Sequence, residues 1–74
     1  MEKKEFSSND KLIAMGALYL NMYMFDLAID NFQKAGAEET LEICADWFLE
    51  KDLFCLASKA IEAAIFCRTI LNKN

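Results

Sequence analysis

The stretch Leu12–Ala35, LIAMGALYLNMYMFDLAIDNFQKA, decides how this chain reads. Its first half places Leu12, Met15, Gly16 and Tyr19 at i, i+3, i+4 and i+7, the spacing of one face of an α-helix. Its second half places Ala28, Phe32 and Ala35 at i, i+4 and i+7. The small residues Gly16 and Ala28 let two helix backbones approach, and Tyr19 and Phe32 fill the space around them. The pattern predicts two antiparallel helices joined by a tight turn at Asn21–Phe25.

Shifting the chain by 29 residues (12 onto 41) reproduces the stretch. Leu12 falls on Leu41, Gly16 on Ala45, Tyr19 on Phe48 and Leu20 on Leu49. Phe25 falls on Phe54, Leu27 on Leu56, Ala28 on Ala57 and Ala35 on Ala64. Hydrophobic period alone would align apolar with apolar. It would not match small with small and aromatic with aromatic.

The order of these residues resembles the tetratricopeptide repeat (TPR), whose pattern runs W-x2-L-G-x2-Y…A-x3-F. Leu12 stands where that family has Trp and Met15 where it has Leu, while Gly16, Tyr19, Ala28, Phe32 and Ala35 match. The offset is shorter than the family's 34 residues. Its helix-ending proline is missing, since the chain has no proline. The resemblance implies an all-α fold of four helices, two stacked antiparallel hairpins in a right-handed helical repeat. Hairpin 1 would cover about 9–36 and hairpin 2 about 38–72, together one domain over 1–74.

Helix ends are signalled locally. Ser7 and Asp10 form a capping-box-like pair, with Phe6 as a hydrophobic staple before the cap. The first helix is expected over 9–22; it is apolar nearly all round, the pattern of a helix covered on more than one side. The second is expected over 25–35, with Asp26 in its first turn and Gly36 as its left-handed terminator. TPRs often place Gly before that second helix, and Tyr23 stands there instead. Glu38 and Glu39 open a third helix running to about Glu50, with Leu41, Cys44, Ala45 and Phe48 as its inner stripe. Asp52 reads as the N-cap of the last helix, which continues to about Leu71, with Arg68 and Lys73 near its end and Asn72–Asn74 fraying.

Composition narrows the function. Of the residues, 55% are hydrophobic, more than a 74-residue globule easily hides, so some apolar surface is expected to meet a partner or a second copy. A net charge of −4 argues against nucleic acid, whose phosphates need a basic face. Cys44, Cys55 and Cys67 are odd in number and lack zinc-ligand spacing, which fits a reducing compartment and three small hydrophobes. Histidine is absent, no base accompanies a cysteine, and the two glycines build no phosphate loop, so an enzyme, a metal site and a cofactor are not expected. The near-apolar run 12–25 is too short for a bilayer and Met1–Phe6 show no secretory pattern, so a cytoplasmic protein is expected.

Binding is left as the expected function: an adaptor or chaperone-like module that takes a partner helix or peptide. In proteins that resemble TPRs the first helix of each hairpin lines a concave groove. By register the groove residues here are Asp10, Ile13, Ala14, Ala17, Leu20 and Asn21, then Glu39, Glu42, Ile43, Asp46 and Glu50. Of the Lys, Asn and Arg that a carboxylate-clamp TPR needs at the matching sites, only Asn21 is present. An apolar floor with an acidic wall suits an amphipathic helix carrying Lys or Arg; the stripe Glu42, Asp46, Glu50 is equally what a solvated face looks like. The small TPR-like chaperones of bacterial secretion systems are an analogy of fold only.

The alternative function is structural, a homo-oligomer building block. The inner stripe of the last helix is expected to be Leu53, Leu56, Ala57, Ala60, Ile61 and Ala64. A second stripe, Ala63, Phe66 and Ile70 with Cys67 at its edge, is expected as an association patch that nothing later in the sequence would cover. Phe66 instead hides internally if the last helix bends back over its hairpin.

Overall fold

The computed structural model describes residues 8–71. They form four helices joined by turns: α1 (Ser8–Asn21), α2 (Phe25–Lys34), α3 (Glu38–Glu50) and α4 (Phe54–Leu71). No strand occurs among the described residues. Ser7, Phe6, Lys73 and the Asn72–Asn74 segment lie outside them.

Three connections repeat one hydrogen-bond pattern. After α1, the amide of Met24 donates to the Tyr19 carbonyl at 2.9 Å and that of Tyr23 to Leu20 at 3.0 Å. After α3, Leu53 donates to Phe48 at 2.8 Å and Asp52 to Leu49 at 3.1 Å. After α2, Ala37 donates to Phe32 and Gly36 to Gln33, both at 3.0 Å. Each pair is a Schellman motif, whose penultimate residue must take the left-handed conformation. Tyr23 (φ 60°), Asp52 (φ 62°) and Gly36 (φ 68°) do so. The first two motifs are related by the same 29-residue shift as the sequence. Asp52 therefore terminates α3 rather than opening α4. Its short side chain tolerates the left-handed region and supplied a terminator where a cap was expected.

The inner helices start without polar caps. Met24 and Ala37 precede α2 and α3 with no side-chain hydrogen bond to the helix end. Asp26, Glu38 and Glu39 put carboxylates in the first turns instead, where the helix dipole favours them.

Close packing in hairpin 1 depends on Gly16. A Cβ built there would lie 2.5 Å from Cε1 of Phe32, a fully buried ring. The core continues through Ala28, Ile29, Leu41, Cys44, Ala45 and Phe48 into the small residues Ala57, Ala60, Ala63, Ala64 and Cys67 of α4. Aromatic rings connect the hairpins: Phe25 lies 5.3 Å from Phe48 and 5.9 Å from Trp47, centroid to centroid. Small side chains on α4 let α2 approach closely, and there the Cys67 thiol reaches the Gln33 carbonyl at 3.6 Å and Lys59 pairs with Asp26 at 2.8 Å.

Helix α1 departs from expectation. It packs on α2 alone among the described elements, and of its residues only Gly16 is buried. An all-round apolar helix is thus covered on one side, leaving Met15, Leu18 and Met22 exposed. Helix α2 packs on α1, α3 and α4, whereas the backbones of α1 and α3 stay apart, with no pair of Cα atoms within 8 Å. The array is thin, with a smallest extent of 15 Å between Cα atoms.

Candidate functional site

The separation of α1 from α3 opens a cleft of about 370 Å³ at the α1–α2 turn, lined by Leu20, Asn21 and Tyr23 on one side and Ile43, Cys44 and Trp47 on the other. Its walls are fixed from below. Leu20 belongs to the last turn of α1, where its carbonyl accepts the Tyr23 amide. Trp47 is wedged edge-on against Phe48, 5.6 Å between centroids, and tilted against Phe25. The ammonium of Lys51 stands 5.5 Å from the Trp47 ring centroid.

Tyr23 is 75% exposed although it occupies a backbone conformation that bulky residues avoid. Its ring contacts Phe25 edge-on at 5.9 Å, so a strained turn holds an aromatic in solvent at the mouth of the cleft. Ile43 and Trp47 are also exposed. On the same helix face, within a turn or two of them, stand the exposed Glu39, Asp46 and Glu50.

Of the expected groove residues, Leu20, Asn21 and Ile43 come together in this cleft. Asp10, Ala14 and Ala17 are exposed on α1, and Ile13 packs partly against the core. Glu42 is turned away. With Glu38 it holds Arg68 of α4, Nε donating to Glu38 at 2.6 Å and Nη2 to Glu42 at 2.9 Å, so the expected Glu42–Asp46–Glu50 wall loses its first member. Both carboxylates push the already basic Arg68 guanidinium higher still. Tyr23 and Trp47 were not expected at the site. Trp47 stands one turn from Ile43, a spacing visible in the sequence, but the position of Tyr23 depends on the turn geometry.

The expected association patch is split by the structure. Phe66 and Ile70 are half-exposed on the side of α4 toward α2, while Ala63 and Cys67 are buried beneath them. Their 100° steps along the helix turn these two inward. Ile61, expected on the inner stripe, is exposed on the opposite shoulder with Phe54 and Ile65.

The described residues contain no group of His, Cys, Asp and Glu that could hold a metal ion. Burial pushes the Cys44 and Cys67 thiols above their ordinary value, Glu38 adding to the effect at Cys67, which favours the protonated thiol at both positions. No helix among the described residues is long and apolar enough to cross a membrane. No protein-family model, no curated protein and no solved structure matches the chain.

Proposed function

We propose that this chain is a small TPR-like interaction module, adaptor or chaperone-like, that works in the cytoplasm by binding and not by catalysis. Its ligand is an amphipathic helix of another protein, with its apolar face in the α1–α3 cleft and Lys or Arg side chains toward Glu39, Asp46 and Glu50. The observation that carries this reading is the cleft itself, where Tyr23, Ile43 and Trp47 are exposed together beside carboxylates. Aromatic residues are the usual anchors of such contacts, and a net charge of −4 favours a basic partner.

Trp47 is the chain's one tryptophan, so its emission reports the cleft directly. Titration with a synthetic Leu/Lys amphipathic helix is expected to shift that emission, the effect weakening with salt. A Leu/Glu helix of the same pattern binding equally well would defeat the reading. Self-association is the second reading, favoured by the many large apolar side chains left exposed on α1 and α4.

A further inference from the structure

The 29-residue shift compares not only residues but their surroundings. Inside the chain, one face of hairpin 1 is covered by hairpin 2: Phe25 lies against Trp47 and Phe48, and Phe32, over Gly16 of its own hairpin, is 1% exposed in the core the hairpins share. The same positions in hairpin 2 are Ile61 and Phe54, 43% and 63% exposed. Leu20, partly buried against the core, corresponds to the exposed Leu49. The junction face is therefore present twice and covered once.

Its complement is also present twice. Beside the α2–α4 contact, hairpin 2 meets hairpin 1 through Trp47 and Phe48 of α3, with Cys44 lining the cleft next to them. Their equivalents on α1 are Met15, Leu18 and Tyr19. Cys44 is 6% exposed, but Met15 is 47% exposed and Leu18 is exposed beside it. One end of the molecule shows the uncovered socket and the other the uncovered plug of a junction already formed in its middle.

We propose that copies of this chain stack head to tail, the Leu49–Phe54–Ile61 face of one copy receiving the Met15–Leu18 face of the next. This gives the second reading above a definite surface and geometry, and it leaves the α1–α3 cleft free. The occupant is a second copy because this chain itself carries both halves of the junction. Charge agrees. Within the chain, Asp26, Asp30 and Gln33 of α2 face Lys59 and Glu62 of α4 across a shallow cavity. Moved along by one repeat, Lys59 and Glu62 of one copy face Asp30 and Gln33 of the next, which brings Lys59 to a carboxylate. Plug and socket are different surfaces, so the contact is heterologous and does not close at two copies.

Sedimentation of the whole chain over a hundredfold concentration range is expected to show mass rising past the dimer without a stop. Phe54→Glu with Ile61→Glu removes the socket, and Met15→Glu with Leu18→Glu removes the plug. All four side chains are well exposed, so helix content should persist by circular dichroism. Each variant alone is expected to sediment as a monomer, and an equimolar mixture as a dimer that grows no further, because one intact junction remains between them. A wild-type chain that stays monomeric overturns both the stacking and the second reading. A dimer formed by either variant alone, or a monomeric mixture, overturns the stacking but not self-association. If a glutamate variant loses its helices, the wild-type series decides: a mass that stops at the dimer overturns the proposal.

Discussion

Tyr23 and Asp52 occupy the same place in two turns with the same hydrogen bonds and the same left-handed backbone. Around those turns the two hairpins differ. Where hairpin 1 has Gly16 under a phenylalanine ring, hairpin 2 has Ala45 and Ile61. Where hairpin 1 buries Phe32, hairpin 2 leaves Ile61 half out. Backbone geometry is thus repeated more faithfully than packing. A Schellman turn depends on local hydrogen bonds, while burial depends on which neighbours a hairpin meets.

The largest effect expected from this contrast is at the ring. Phe32→Ala should cost about 3–5 kcal/mol, the range for a buried aromatic, whereas Ile61→Ala should cost about 1–2 kcal/mol, roughly half of the buried range. Urea midpoints of the two variants measure the difference, and equal losses would mean that the hairpins are packed alike.

Next comes the methyl that hairpin 2 has and hairpin 1 lacks. Gly16→Leu should cost about 1–3 kcal/mol by overpacking against Phe32. Gly16→Ala raises helix propensity yet places its Cβ against that ring, so it too should lower the melting temperature. Adding Phe32→Ile, which copies the Ala45/Ile61 pair, should recover part of the loss. A double-mutant cycle showing no coupling would break the equivalence of the two pairs.

The turns themselves offer a smaller gain. Tyr23→Gly should stabilise by about 0.5–1 kcal/mol, because glycine enters the left-handed region without the Cβ penalty. Asp52→Gly should give only about a few tenths, since aspartate tolerates that region already. Chemical denaturation of both variants ranks them. A Tyr23→Gly variant that also loses peptide-induced Trp47 emission change would tie the strain to binding.

These contrasts also show what could be read from the chain beforehand. The four helices, the Gly36 terminator and the α3–α4 turn at Lys51–Leu53 followed from apolar period and breakers, which act over a few residues. The site was only partly readable. Leu20, Asn21 and Ile43 could be placed by register, but Glu42 points to Arg68, 26 residues away. The cover on α1 could not be read either. An apolar surface on a helix states that something covers it, not whether that cover lies within the same chain. Likewise, helical register placed Phe66 beside Ala63, but only the close approach of α2 to the small residues of α4 buries one and leaves the other out.

The smallest expected effect concerns the thiols. Burial raises Cys44 and Cys67 above the ordinary 9.0, so the folded state favours their neutral form. That contribution is complete below pH 9 and declines as pH climbs through the raised values. Urea midpoints should fall as pH rises above 9, and Cys44→Ala should flatten the decline. The exposed Cys55 should react with a thiol reagent in the native protein, and the two buried cysteines only after unfolding.

The one-sided cover of α1 has a kinetic consequence. A helix that leans on a single neighbour can peel away without disturbing the other three, whose shared core runs through Leu41, Phe48, Ala57 and Ala60. Native-state hydrogen exchange should therefore resolve two cooperative units. Amides of α1 should open at a free energy below the global value, and those of α3 and α4 should exchange last. In its opened form the module exposes Phe32 and the inner side of α2, so the chain carries a second, transient apolar surface that no ground-state view displays. Ligands that fill the α1–α3 cleft would slow exchange in α1 first, far more than in α4.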